Sequence, residues 1–314
     1  MTTLLITGIG GDLGQSVAQI IRATRPSWRI VGVDMNERQA GLLYADAFEP
    51  VPRGSAADYV PRLTVVAARH SADYCVPTTD AELRALHQAG KGSIAGTALV
   101  GVSPTALSIG LDKLTTNKFL SSIQIPVPWT VDVSAGNVPL EYPCVFKPRT
   151  SSGSRNVVIC RDRDHALALA AQEVDGVFQE LLLPAEREMT CAVYRAKSGR
   201  TFVLPMLRRL AGGLTVWIRV QYDKEVVDQC ERIADAMKLI GPINIQLRLT
   251  DKGPRIFEIN PRFSSTLYLR HLLGFRDLLW AIGDLEGIAI EYQAPPENVE
   301  AVRTFGAAVL PAYP

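Results

Sequence analysis

Alternation of apolar and polar positions is sharpest near the end of the chain. Over residues 243–249, Asn244, Gln246 and Arg248 fall on one face, opposite Ile243, Ile245, Leu247 and Leu249. Over residues 257–260, Glu258 and Asn260 share a face, while Phe257 and Ile259 are expected to point into apolar packing. Successive side chains of a strand point to opposite faces. Two neighbouring strands here would therefore present Gln246, Glu258 and Asn260 together. The first hundred residues read differently. A short apolar strand at 4–7 is followed by a glycine-rich turn and a helix carrying Leu13, Val17, Ile20 and Ile21 on one face. Further strands are expected at 29–34, 73–77 and 98–102. Strands alternating with helices predict a parallel sheet with helices on its faces.

The pattern changes after Asp112. A helix carries Lys113, Lys118, Phe119 and Leu120 and stops before Ile125-Pro126-Val127-Pro128, where proline blocks propagation. A strand at 143–148 ends in Lys147 and Pro148, and a Ser/Gly-rich loop covers 149–156. A strand at 157–160, a helix near 165–172 and a strand at 177–182 follow. Beyond Glu188 the chain reads mostly as antiparallel strands, with helices near 223–239 and 275–286. From about Tyr292 it is proline-rich and then apolar, as an edge strand or a contact surface would be. Three units are expected, over 1–111, 112–182 and 183–314.

Composition narrows the class. The chain is 47% hydrophobic and 21% charged with a net charge of +1. That is ordinary for a globular protein and gives no electrostatic case for nucleic acid or a membrane surface. The first residues carry no basic leader-like region and run straight into a strand. No apolar run approaches the ~18 residues needed to span a bilayer, so a cytoplasmic chain is expected. A homodimer is one assembly open to it. The five cysteines include no Cys-x-x-Cys pair and fit buried reduced thiols. The four dispersed histidines give no zinc pattern.

Two pieces of chemistry compete. Gly8, Gly11 and Gly14 sit between strand and helix, and Asp34 closes the next strand. Such a turn can hold a dinucleotide pyrophosphate, as in an NAD(P)-dependent oxidoreductase or epimerase of the short-chain type. The Tyr-x-x-x-Lys expected of that class is missing; Tyr142 and Lys147 are one residue too far apart. A glycine turn is also needed simply to make a tight strand–helix connection. At the other end, Gln246, Glu258 and Asn260 offer oxygens to a hard cation, magnesium or alternatively manganese. Arg262 just beyond could grip a phosphate. The plain alternative is two half-solvated strand faces.

The ordered set Asp112-Lys113, Phe146-Lys147-Pro148, the loop from Arg149 to Asn156, Gln179-Glu180-Leu181-Leu182, Glu188-Met189-Thr190 and Glu258-Ile259-Asn260-Pro261-Arg262 resembles the ATP-grasp superfamily, in its carbamoyl-phosphate-synthase-like, carboxylate–amine ligase branch. The resemblance implies an α/β fold with an N-terminal Rossmann-like domain, a small mobile lid and a larger, mostly antiparallel C-terminal domain, with ATP between the last two. It implies an ADP-forming ligase that phosphorylates a small-molecule carboxylate for attack by an amine, a thiol or another nucleophile. Lys113 and Lys147 would approach the phosphates, and Ser152, Gly153 and Ser154 would close over them. Glu180, Leu181 and Leu182 would meet the adenine edge, and Glu188, rather than Glu186, the ribose. Gln246, Glu258 and Asn260 would bind magnesium, although an acid is common where Gln246 stands. Arg262, Lys147 and Arg209 would be catalytic, with Arg208 as the alternative to Arg209. Arg219, Ser264, Ser265, Thr266 and Arg270 are candidate substrate contacts. Asp80 and Glu82 could meet an amine, or Asp80 could cap a helix with Glu82 in its first turn. A non-catalytic nucleotide-binding module is the remaining reading.

Overall fold

A computed structural model describes residues 1–150, 156–172 and 175–310. Its elements form three sheets in sequence order. The first has β1 (Thr3–Thr7), β2 (Arg29–Asp34), β3 (Ala47–Pro50), β4 (Tyr74–Val76), β5 (Ser93–Ile94) and β6 (Thr97–Leu99). Their spatial order is β3-β2-β1-β4-β6-β5, all pairs being parallel except β5 with β6. Helices α1 (Asp12–Thr24), α2 (Tyr59–Arg69) and α3 (Asp80–Gln88) are interspersed between these strands. Strands β3 and β5 were not anticipated. The half-exposed Ala-Phe-Glu-Pro run of β3 lacks a clear alternation, and β5 has only two residues.

Helices α4 (Pro104–Gly110) and α5 (Lys113–Ser122) lead into a four-stranded antiparallel sheet. It contains β7 (Thr130–Asp132), β8 (Cys144–Pro148), β9 (Val158–Cys160) and β10 (Gly176–Glu180), ordered β7-β10-β8-β9, with helix α6 (Arg163–Gln172). The last sheet is antiparallel, ordered β15-β14-β11-β12-β13-β16. Its strands are β11 (Glu188–Arg195), β12 (Thr201–Ala211), β13 (Leu214–Val220), β14 (Gly241–Thr250), β15 (Gly253–Asn260) and β16 (Glu300–Val302). Helices α7 (Lys224–Ala236), α8 (Leu267–Leu272) and α9 (Asp277–Glu286) complete it. The tail thus supplies an edge strand, as its composition allowed.

One apolar core joins the first sheet to the last. Val17, Ile20 and Ile21 of α1 share it with Tyr194, Phe202 and Leu204 of the large sheet and with Phe275 and Trp280 near α9. Trp280 packs at ring distances of 4.8–5.7 Å against Phe275, Phe202, Tyr292 and Tyr194. The small sheet has its own core around Phe146, Phe178, Cys144 and Cys160. All five cysteines are free and buried. Among the described residues no helix is long and apolar enough to cross a membrane.

Two local expectations are corrected. Thr79, not Asp80, caps α3: its hydroxyl accepts from Glu82 N, and the Glu82 carboxylate accepts from Thr79 N at 3.0 Å, a reciprocal capping box. Phe257 does not enter the core. A bulge pairs Gln246 with Glu258 but Leu247 with Ile256, leaving Phe257 as the extra residue. An extra residue breaks the two-residue period locally, and Phe257 turns to the wall of a cleft.

Candidate active site

The register of β14 and β15 sets Asn244 opposite Asn260 and Gln246 opposite Glu258. The predicted oxygen set is therefore gathered on one patch of sheet. Two cavities meet over it and share Arg208, Leu210, Gln246 and Glu258. The first, about 180 Å³, lies between the small and large sheets. Val145, Val157, Leu182 and Phe257 supply apolar wall, while Lys113, Lys147, Glu180 and Glu188 supply polar groups. The second, about 230 Å³, runs from this patch to the carboxyl ends of β1 and β4, and takes in Asp12, Asp80, Asn260, Arg262 and Ser264 to Thr266.

Lys147 closes β8 and is buried. Burial pushes its pKa down to about 8; Glu258 opposes that shift and Lys113 adds to it. Its Nζ lies 3.4 Å from the Phe257 carbonyl and 5.5 Å from that ring's centroid. Lys113 begins α5, with Nζ 3.8 Å from Glu258 Oε1. Asp112 caps that helix and holds Arg149 at 2.7 Å, tying the helix to the end of β8. Burial works against the Asp112 carboxylate, but Arg149 and two backbone N–H groups outweigh it and hold its pKa below the usual range.

Glu188 opens β11 between two guanidinium groups, accepting from Arg208 at 2.5 Å and from Arg248. Arg208 also donates to Gln246 Oε1 at 2.8 Å. Glu180 accepts from Trp129 N at 3.3 Å. Leu181 lies between Glu180 and Leu182, both of which line the first cavity. Ser152, Gly153 and Ser154 lie outside the described residues.

Several residues expected at the site lie away from the cavities or face them differently. Arg209 is exposed and stacks on Trp217, 4.6 Å from its centroid, whereas Arg208 and Leu210 on either side of it line both cavities. Arg219 likewise packs beside Trp217, at 5.8 Å. Arg270 is 1% exposed and lines neither cavity. It pairs with Asp277 and donates to the hydroxyls of Ser264 and Thr266 at 2.8 Å, so it shapes a cavity wall from behind. Glu82 is buried and accepts from Thr7 Oγ1, Thr78 N and Thr79 N, which leaves it out of the cavity. Asp80 does face the cavity, and its carboxylate takes the Arg262 guanidinium.

The glycine turn is closed by its own neighbours. Gly10 N donates to Asp34 Oδ2 at 2.9 Å, and a Cβ on Gly14 would come within 2.4 Å of the Gly8 carbonyl oxygen. Asp34, the acid that would hold a ribose, also accepts from Asn36 N at 2.9 Å. Among the described residues, no three His, Cys, Asp or Glu side chains group as a metal site. The patch over Gln246, Glu258 and Asn260 offers one carboxylate and two side-chain amide oxygens.

The three sheets and the cleft between the second and third have the arrangement of the ATP-grasp fold. Residues 181–305 match the family described as "ATP-grasp in the biosynthetic pathway with Ter operon". The fold is similar to that of N5-carboxyaminoimidazole synthetase from Staphylococcus aureus complexed with ADP, at a TM-score of 0.74 and 16% identity, covering 96% of this chain and 80% of that one. In sequence the chain is 27% identical over 191 residues to the uncharacterized protein y4rH of Sinorhizobium fredii, covering 53% of this chain and 39% of that protein. It is 35% identical over 104 residues to D-alanine--D-alanine ligase of Thermotoga petrophila, covering 32% of this chain and 33% of that enzyme. The chain thus spans well under half the length of these curated relatives.

Proton uptake should report on Lys147. Near pH 8 the free side chain is about half neutral. Nucleotide phosphates favour its charged form and raise its pKa. Binding of MgATP at that pH should therefore take up protons, seen by calorimetry in buffers of different ionisation enthalpy. Lys147→Met should abolish the uptake. Equal uptake in the variant would mean that Lys147 does not meet the phosphates.

Proposed function

We propose that the chain is an ATP-dependent, ADP-forming ligase that activates a small-molecule carboxylate as an acyl phosphate for attack by an amine, a thiol or another nucleophile. The observation that carries this is the joining of two cavities over Gln246, Glu258 and Arg208. One cavity suits a nucleotide and the other a polar co-substrate, so a phosphoryl group can pass directly from one to the other. The ligase named among the relatives, D-alanine--D-alanine ligase, supports the same class.

Adenine would lie among Val145, Val157, Leu182 and Phe257, with the backbone beside Glu180 at its edge. Glu188 would accept from the ribose, and Lys113 and Lys147 would neutralise the phosphates. Glu258 and Asn260 would hold magnesium, with Gln246 joining once its bond to Arg208 yields; the ion would offset the negative charge of the phosphates. A substrate carboxylate oxygen beside Arg262 attacks the γ-phosphorus, and the bond to ADP breaks with its electron pair. The nucleophile then adds to the acyl carbon, phosphate leaves with the electron pair of its bond to that carbon, and the nucleophile's proton passes to the departing phosphate or to water. Positioning and charge compensation account for most of such catalysis. Arg208 replaces Arg209 as the guanidinium poised between the cavities.

MgATP should bind and NAD(P) should not, as measured by calorimetric titration. Hydrogen exchange with MgATP should show protection around residues 145–147 and 178–182 and little change over 8–14. Tight NAD(P) binding with protection of the glycine turn would place the nucleotide in the wrong half of the chain. Release of ADP with a carboxylate present separates a ligase from a non-catalytic nucleotide-binding module.

A further inference from the structure

The chain crosses from the small sheet to the large one between the end of β10 at Glu180 and the start of β11 at Glu188. One side chain grips that crossing near both of its ends. Arg248 stands in β14 opposite Glu188 of β11. Its Nη1 donates to the Leu182 carbonyl at 2.5 Å and its Nη2 donates to Glu188 Oε2. Arg248, Leu182 and Glu188 all line the first cavity. The hold on Glu188 differs from that of Arg208, which gives two hydrogen bonds, at 2.9 and 2.5 Å, to Oε1. A carboxylate oxygen accepts about two hydrogen bonds, so Oε1 is filled. Oε2, the oxygen held by Arg248, has room for one more donor.

We propose that Arg248 is a positioning residue that couples recognition of the nucleotide base to recognition of its ribose, an inference that rests on the nucleotide site of the ligase reading above. In that reading the backbone at 180–182 meets the adenine edge and Glu188 accepts from the ribose. The oxygen left for the ribose is then the one that shares a guanidinium with the Leu182 carbonyl. A guanidinium is a rigid planar fork, and its bond to a carboxylate is charge-assisted and directional. A base that seats poorly displaces the Leu182 carbonyl, the fork turns with it, and Glu188 Oε2 loses its place against the ribose. Arg208 does not carry this coupling, because its hydrogen bonds run to Glu188 and Gln246. It does keep Glu188 paired when Arg248 is replaced, so a variant at 248 is not left with a bare carboxylate.

The test is a cycle of ligands on the full chain. Affinities are measured by competition calorimetry for MgATP, for MgGTP, and for each of them lacking one or the other ribose ring hydroxyl. Where base and sugar are read independently, the loss from changing both equals the product of the single losses. In the wild type, at the hydroxyl that Glu188 reads, the combined loss should fall short of that product by about threefold or more. In Arg248→Met the shortfall should vanish. Arg248→Lys should behave like Arg248→Met, since an ammonium is a point charge and not a fork. A merely structural role would weaken all the nucleotides alike and leave the shortfall in place. A wild type in which neither hydroxyl matters, or whose losses multiply, would overturn the inference without any variant and leave the ligase reading standing. A shortfall that persists in Arg248→Met, or that Arg248→Lys keeps in full, would overturn the assignment to this guanidinium. Absence of MgATP binding to the wild type would overturn the nucleotide site and the inference together.

Discussion

Glu258→Gln should lower ADP release by about a hundred- to a thousand-fold, a loss typical of removing one preorganised electrostatic group. Nucleotide affinity should change far less. Glu258 is, among the described residues, the carboxylate common to both cavities. It stands 3.8 Å from Lys113 and supports the charged form of Lys147. The amide keeps an oxygen for a cation but removes its charge, and it weakens the charge compensation of Lys113 and Lys147. Contacts around Val145, Leu182 and Glu188 are untouched, so calorimetry should still register MgATP. Turnover equal to the wild type would show that Glu258 is only a carboxylate on a strand face.

Arg270→Ala or Asp277→Ala should cost about 3–5 kcal/mol of stability, read from urea denaturation. Both side chains are 1% exposed and answer each other through three hydrogen bonds. Removing one leaves an uncompensated buried charge. Replacing both, as Arg270→Met with Asp277→Leu, should recover much of the loss, because two apolar groups need no compensation. Arg209→Ala offers the contrast. Its exposed stacking on Trp217 is worth only about 0.5–1 kcal/mol. A small effect at Arg270 would mean that water reaches the pair.

The alternation over residues 243–260 was enough to place Gln246, Glu258 and Asn260 together, because face sharing in a strand follows from spacing alone. It was not enough for Phe257, since a bulge depends on the pairing of two strands rather than on either one. The choice between Arg208 and Arg209 turns on the phase of β12, and neighbouring arginines carry no phase. Arg270 near a helix end reads as a surface cation; its partner Asp277 lies past a turn, and only the tertiary fold buries them. The Thr79 cap was legible as Thr-x-x-Glu, the capping-box spacing. The Asp112–Arg149 pair, which joins residues far apart in sequence, left no local trace.

The joining of the cavities over one patch of sheet also divides the chain for purposes of change. The lysines of the first cavity come from α5 and β8, whereas Asp12 and Asp80 of the second stand at the helix starts reached by the loops after β1 and β4. Connecting loops tolerate replacement better than the elements they join. New segments spliced in around residues 8–12 and 77–80 would therefore re-tailor what the second cavity accepts while the walls of the first cavity stay as they are. Residue 82 sets a limit on that exchange, because its carboxylate staples the second loop to the end of β1.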